Sequence, residues 1–388
     1  MTDKEKILTE VRRIAKEISH PNALDVDKNA RFPIESITAL KAAKMFSAGV
    51  PEELGGFGLN IIEQGEICRI LATQCASSAM VLGMHLIKVS SIVHFGKGNK
   101  QIEQYLRSIV EQQRIVGSVT SEEGIGGNLR NSIAAIEPYT DRFTLTKQST
   151  CLSYGAYADD LLITCRKSKD AAASDQVVVL ALKDDLTLKQ QGEWDSMGMR
   201  GTCSPPFSVK VDASISQVFK PSFADIAART MVPDTHYIWS TIWLGIACDA
   251  ASRARSLVQA RARKNPSELP ENARELAQLE IRLERFKDTV KSVGECYLKA
   301  HKADDSEFLS SISFSLKINA LKLNASQLVV DICMRAMTVC GFAGYLNNSP
   351  YSVARHLRDA LSAAPMIGNG RIIETNATNL LAYKGNEL

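Results

Sequence analysis

The sequence predicts a mainly α protein with a central β domain: helices, then short strands, then a second helical part. Two observations carry this reading. The hydrophobic period runs near 3.6 residues, switches to 2.0 near residue 114, and returns to 3.6 near residue 220. Pro/Gly punctuation falls between apolar runs rather than inside them. The expected division is an N-terminal helical domain over 1–113, a β-barrel-like domain over 114–219 and a C-terminal four-helix bundle over 220–388.

From Lys4 to about Gln113 the chain reads as helices broken twice, at Pro51–Gly58 and at Gly96–Asn99. In the middle, Phe143-Thr144-Leu145-Thr146 alternates, Leu161–Cys165 and Gln176–Leu182 are short apolar runs, and Phe207–Val211 alternates again. Short strands separated by Gly, Ser and Asp predict a small β domain. Further on, Leu276, Leu279, Leu283, Phe286, Val290 and Val293 step by three and four residues. That spacing lays an apolar stripe along one long helix. Helices are also expected over Tyr237–Arg263 and Ile312–Val339, and the set packs as an antiparallel bundle.

A chain of 388 residues, 45% hydrophobic and 23% charged, has the ordinary composition of a globular protein with a large core. Its net charge of +3 carries no basic footprint, so nucleic acid is not an expected partner. The cysteines at 68, 75, 151, 165, 203, 248, 296, 333 and 340 form no CxxC pair, which predicts reduced thiols and a cytoplasmic protein. Met1–Glu17 is charged and lacks the apolar stretch of a secretory signal. Ala79–Val93, interrupted by His85 and Lys88, reads as too short to span a bilayer, so no membrane is expected.

Several short segments stand out. Pro51-Glu52-Glu53-Leu54-Gly55-Gly56-Phe57-Gly58 reads by itself as a Gly-rich turn, and Thr120–Asn128 as a Gly-rich loop. Trp194–Ser204 sets Gly198, Arg200, Thr202 and Ser204 at a spacing that is hard to obtain by chance. Near the C-terminus, Arg358-Asp359-Ala360 precedes Ile367-Gly368-Asn369-Gly370-Arg371-Ile372. Together these segments resemble the acyl-CoA dehydrogenase family over almost the whole chain. The resemblance implies that the two helical parts pack together, with the β domain to one side and a flavin between them. It implies FAD, with FMN also possible, and an oxidoreductase acting on an acyl thioester of CoA or a carrier protein. It further implies a homotetramer or dimer, and an electron-transfer flavoprotein or flavin reductase as redox partner.

Carried over position by position, the resemblance places Thr120, Ser121, Gly126 and Gly127 in the loop beside the flavin, whose backbone N–H groups suit a ring edge or phosphate. Cys151-Leu152-Ser153-Tyr154-Gly155 matches a segment in which the family has a tryptophan near the flavin and a threonine hydroxyl at its N5. Ser153 keeps the hydroxyl, whereas Cys151 reads first as a strand residue packed in the β core. Arg200 and Thr202 belong to the implied cofactor set, and Arg261, ending a long helix, would hold the pyrophosphate with its guanidinium fork. Thr338 and Gly341 stand where the family contacts adenine from a neighbouring subunit, and Asn369 completes the set.

Acyl-CoA dehydrogenation needs a base for the Cα proton, and a desolvated carboxylate suits the task. The family supplies one from either of two positions, which in this chain are Ile367 and Thr235; neither accepts a proton. Asp234 is adjacent, but one residue along a helix turns a side chain by about 100°. Glu374 lies two turns beyond Ile367 and is no better placed. His85 is the remaining catalytic candidate, although it reads first as a packed core histidine. His20, His94, His236, His301 and His356 share no metal-ligand spacing. The expected function is flavin-dependent dehydrogenation of an acyl thioester. The alternative is monooxygenation with reduced flavin and O2, which needs no such base.

Overall fold

The computed structural model describes residues 3–385. Six helices come first: α1 (Asp3–Ile14), α2 (His20–Lys28), α3 (Ile34–Ala42), α4 (Ile61–Ala72), α5 (Ala76–Gly96) and α6 (Lys100–Gln112). The Asn60 side chain starts α4 by accepting the Ile62 and Glu63 N–H groups at 3.0 and 3.2 Å, and the Glu63 carboxylate reaches back to the Asn60 N–H at 2.9 Å. This reciprocal cap fixes where the helix leaves the Pro51–Gly58 turn. Helix α5 is apolar on all sides and 21 residues long, enough by length and composition to cross a membrane. Its expected shortness is therefore corrected. What marks it as a core helix is burial, with 89% of its apolar window inside the protein.

Seven strands follow: β1 (Val116–Val119), β2 (Glu137–Tyr139), β3 (Arg142–Ser149), β4 (Asp160–Arg166), β5 (Gln176–Ala181), β6 (Leu186–Gln190) and β7 (Phe207–Ser214). They form two sheets, ordered β1-β4-β5 and β2-β3-β7-β6. Only the β1–β4 pair is parallel. The alternation in β3 and β7 turns Phe143, Leu145, Val209 and Val211 inward, onto Leu161, Ile163, Val177 and Val179 of the other sheet. Three strands lie outside the expected set. The exposed β2, the short β1 and the mostly polar β6 take strand form from their neighbours, not from an apolar pattern of their own.

The second helical part holds α7 (Phe223–Ile226), α8 (Val232–Lys264), α9 (Ala273–Lys302), α10 (Ser306–Leu309), α11 (Ile312–Cys340), α12 (Phe342–Tyr345), α13 (Ala354–Leu361) and α14 (Asn369–Ala382). The stripe on α9 is buried from Leu279 to Val293. Helix α8 is the axis of the molecule and packs on α4, α5, α9 and α11. A Cβ at Gly245 would lie 2.4 Å from the Arg69 carbonyl oxygen, so α4 and α8 meet almost backbone to backbone. The two helical parts thus share one core, which includes the fully buried Trp243. The β domain has its own.

Candidate functional site

At the edge of the β domain a row of small polar side chains is linked by hydrogen bonds. Ser121 Oγ lies 2.9 Å from Ser149 Oγ and donates to the Cys151 carbonyl at 2.9 Å, while the Cys151 N–H returns a bond at 3.2 Å. Ser204 Oγ lies 2.9 Å from both Ser153 Oγ and Thr202 Oγ1. Cys151 is exposed, which corrects its expected place in the β core; the sheet ends at Ser149 and the chain turns outward. This wall offers hydroxyls that can donate or accept, as the polar edge of a flavin ring requires.

The Gly-rich loop lies beside the wall. Its root is Glu122, a buried residue whose carboxylate accepts bonds from Ser132 Oγ, the Ile133 N–H and the Ala134 N–H at 2.6, 3.1 and 2.6 Å. Lys147, also buried, lies 3.5 Å from the same carboxylate. Beyond this anchor Gly124, Gly126 and Gly127 all have positive φ, and the loop is exposed. Arg371 of α14 donates to the Gly126 carbonyl, joining this loop to the Ile367 turn. The sequence reading missed Arg371, Glu122 and Lys147 as a set, because each finds its partner far away in the chain. Thr120 lies half-buried just after β1.

Two residues assigned to cofactor binding also make structural hydrogen bonds. Arg200 donates to the Asp27 and Ser196 carbonyls at 2.8 and 2.7 Å and meets Asp195 at 3.2 Å. Thr202 is buried and donates to the Met199 carbonyl at 2.9 Å. The surrounding loop is clamped from both helical parts. Arg358 pairs with Asp27 through both guanidinium nitrogens, and Asp359 accepts the Met199 N–H at 2.7 Å. Gly198 has no room for a side chain, since a Cβ there would lie 2.1 Å from the Arg358 carbonyl oxygen. Burial raises the Asp359 carboxyl to about 6. The most specific segment of the sequence therefore joins the β domain to the helices through Met199 and Arg200 and ends at the hydroxyl wall with Ser204.

Ile367 occupies the left-handed region at φ +50°, which is unusual for a β-branched residue. Beneath it lies Lys322 of α11, a fully buried side chain. Its ammonium donates to the Ala363 and Ile367 carbonyls at 3.1 and 2.7 Å and to Asn369 Oδ1 at 2.6 Å. Asn369 Nδ2 donates in turn to Ser326 Oγ at 3.0 Å. The Asn369 side chain thus faces inward, its oxygen on Lys322 and one amide proton on Ser326. Burial lowers the Lys322 ammonium to about 8.

The nearby carboxylates point elsewhere. Asp234 is buried and accepts from the Tyr297 hydroxyl at 2.6 Å, on the side of α9, and burial raises its pKa. Thr235 donates its hydroxyl to the Met231 carbonyl at 2.5 Å. Glu374 is exposed on α14. His85 has both ring nitrogens on backbone: Nε2 lies 2.6 Å from the Phe46 carbonyl oxygen, and Nδ1 accepts the Val116 N–H at 3.0 Å. Burial lowers its pKa to about 4, so it is a neutral tie between the N-terminal helices and β1. That geometry is of a packing residue, not of a catalytic base.

Arg261, Thr338 and Gly341 are exposed at the C-terminal ends of α8 and α11. Thr338 is sixteen residues beyond Lys322, about 24 Å along the helix. The assigned residues thus include a group at the hydroxyl wall of the β domain and a group at the C-terminal ends of α8 and α11.

The acyl-CoA dehydrogenase N-terminal domain matches residues 1–113 and the acyl-CoA dehydrogenase C-terminal domain matches residues 238–377. The chain is 21% identical over 370 residues to the short-chain specific acyl-CoA dehydrogenase of Clostridium acetobutylicum, covering 92% of each. It is 22% identical over 336 residues to the dibenzothiophene monooxygenase of Mycolicibacterium goodii, covering 82% of this chain and 80% of that one. The fold is similar to that of FMN-bound TdsC from Paenibacillus sp. A11-2, with a TM-score of 0.83 at 18% identity and 97% coverage of both chains. Two helical domains matched in order on either side of a two-sheet β domain place the chain in the acyl-CoA dehydrogenase family of oxidoreductases.

Proposed function

We propose that this protein is a flavin-dependent oxidoreductase, binding FAD or FMN against the Ser121–Ser153–Ser204 wall. The flavin would supply the redox chemistry, by taking a hydride or by passing electrons to O2. Ser121 and Ser153 would orient the polar edge of the ring, and Gly126 and Gly127 would let the loop approach it closely. Exposed Arg261, Thr338 and Gly341 would serve the nucleotide end, from a second subunit. A homo-oligomer is supported by exposed apolar residues at the same end, with Phe342 73% and Tyr345 68% exposed.

Within that class, the geometry favours the oxygen-dependent reaction over direct dehydrogenation of an acyl thioester. The observation that carries this is the Ile367 corner. Its polar neighbours are an ammonium with three protons engaged and an amide, and neither can take a Cα proton. Asp234 is tied to Tyr297 on the α9 side, and Glu374 is exposed on α14. The similarity to a dibenzothiophene monooxygenase supports the same reading. A flavin reductase would then be the partner, rather than an electron-transfer flavoprotein.

The test is anaerobic mixing of flavin-loaded protein with saturated acyl-CoAs of four to sixteen carbons. Flavin absorbance is expected to stay unbleached, while protein given reduced flavin should consume O2 faster in the presence of its substrate. Rapid bleaching by an acyl-CoA would return the protein to the dehydrogenases. A chain that gains no thermal stability from millimolar FAD or FMN would remove the cofactor assignment.

A further inference from the structure

Besides Asp234 Oδ2, helix α8 carries three buried polar atoms that have no hydrogen-bond partner: His236 Nδ1, Trp239 Nε1 and Trp243 Nε1. Their side chains are 2%, 9% and 0% exposed. Residues at spacings of three and four share one face of a helix. The two indole rings meet edge to face with centroids 6.0 Å apart. The face also reaches the Ile367 corner, because Lys322 Nζ lies 5.8 Å from the Trp243 ring and bonds the Ile367 carbonyl.

Two buried indole N–H groups without a partner, beside an unbonded imidazole nitrogen, call for an explanation. An indole N–H can only donate, so Trp239 and Trp243 ask for an acceptor. A neutral imidazole nitrogen can donate or accept, according to tautomer. Lys322 adds a positive charge whose three hydrogen bonds all go to neutral oxygens. That charge contributes to keeping the His236 imidazole neutral, after the larger effect of burial. Two donors, a positive field and aromatic surface suit an oxygen that bears partial negative charge on a flat ring. A plain alkyl chain would leave every one of these groups unsatisfied.

We propose that the His236–Trp239–Trp243 face of α8 selects a phenolic substrate, holding its oxygen on the indole N–H groups within the field of Lys322. This names the substrate class for the oxidoreductase reading above and rests on it. The face acts through hydrogen bonding and charge, so it discriminates by the hydroxyl rather than by ring size. A water molecule trapped between the indoles is the competing account; it would satisfy the same donors and confer no preference for a phenol.

Two matched pairs test the proposal by calorimetry on the flavin-loaded protein: 4-methylphenol against toluene, and 4-hydroxybenzoyl-CoA against benzoyl-CoA. In at least one pair the phenol is expected to bind about tenfold tighter or more. Trp239→Phe and Trp243→Phe remove the donors and keep the aromatic faces. Each should shrink the phenol preference and leave toluene or benzoyl-CoA affinity unchanged. Equal binding within both pairs, no binding of any probe, or a preference that survives both substitutions overturns the proposal. Flavin content and FAD-induced thermal stabilisation are read on the same preparations. Protein that never holds flavin yet prefers the phenol condemns the oxidoreductase reading and leaves the phenol site standing.

Discussion

The clamp under the Met197–Thr202 loop and the α8 face beside Ile367 are both polar, both buried in part and both built from residues distant in sequence. At the clamp the polar groups find protein partners: Arg358 on Asp27, Asp359 on the Met199 N–H, Arg200 on two carbonyls. On the α8 face, His236, Trp239 and Trp243 leave a ring nitrogen each without one. A satisfied buried network rigidifies; an unsatisfied one is tolerated where a ligand completes it. The comparison reverses the ranking that motif specificity suggests. Most of the segment hardest to obtain by chance holds the clamp, with Ser204 alone at the proposed flavin wall, and residues matching no motif line the proposed substrate site.

Acid titration tests the buried groups on both sides at once, with the largest expected effect. His85 and His236 are held neutral by burial, with folded-state values of about 4 and about 3, against about 6.5 unfolded. Below pH 6.5 the unfolded chain gains protons that the folded chain refuses. Stability therefore falls as pH drops from 6.5 toward 4, by about 1.4 kcal/mol per unit for each histidine. Asp359, raised to about 6 by burial, works in the opposite sense between pH 6 and about 4. These three groups together give a loss of about 1.4 kcal/mol per unit across that range; His94 and His356, also lowered by burial, add to it, and Asp234, raised by burial, opposes it. Denaturant unfolding at pH 7, 6, 5 and 4 measures it, and His85→Gln should flatten the slope. An unchanged slope would mean that His85 titrates normally.

Gly198→Ala attacks the clamp alone. The new methyl would meet the Arg358 carbonyl backbone, so a stability loss of about 3 kcal/mol is expected. An unfolding midpoint within error of the parent would show that α13 can move aside freely, and the joint would lose its claim to rigidity.

Ile367→Glu addresses the other region. Desolvating a carboxylate there should lower stability by about 1–3 kcal/mol. In return it should allow slow anaerobic bleaching of flavin by a saturated acyl-CoA, where none is expected of the parent. If the variant folds and holds flavin but bleaches with no chain length, the site does not accept thioesters. The smallest effect is expected of Ile367→Gly, which relieves a β-branched residue at φ +50° and should stabilise by no more than about 1 kcal/mol. Destabilisation instead would show that Ile367 packing outweighs its backbone strain.

Much of the architecture was legible in the residues. The stripe from Leu279 to Val293 on α9 and the alternation of Phe143 and Leu145 are local periodicities, and each emerges as a buried face. The strands that escaped notice, β1, β2 and β6, are short or exposed, and short runs with few inward residues carry little periodic signal. Side-chain roles were harder. Ser153 was legible as a hydroxyl at the wall, but the protein partners of Arg200, Thr202 and Asn369 and the exposure of Cys151 were not.

The sequence by itself determined the helical, β, helical order, the apolar faces, and the replacement of a carboxylate by Ile367 and Thr235. Tertiary structure alone decided which polar groups are taken. Met199 and Asp359 are 160 residues apart in the chain, and Lys322 is 45 from Ile367. Hydrophobic period is a property of one segment and its own geometry. Whether a buried donor is free for a ligand depends on where a distant acceptor comes to rest, and only the packed chain fixes that position.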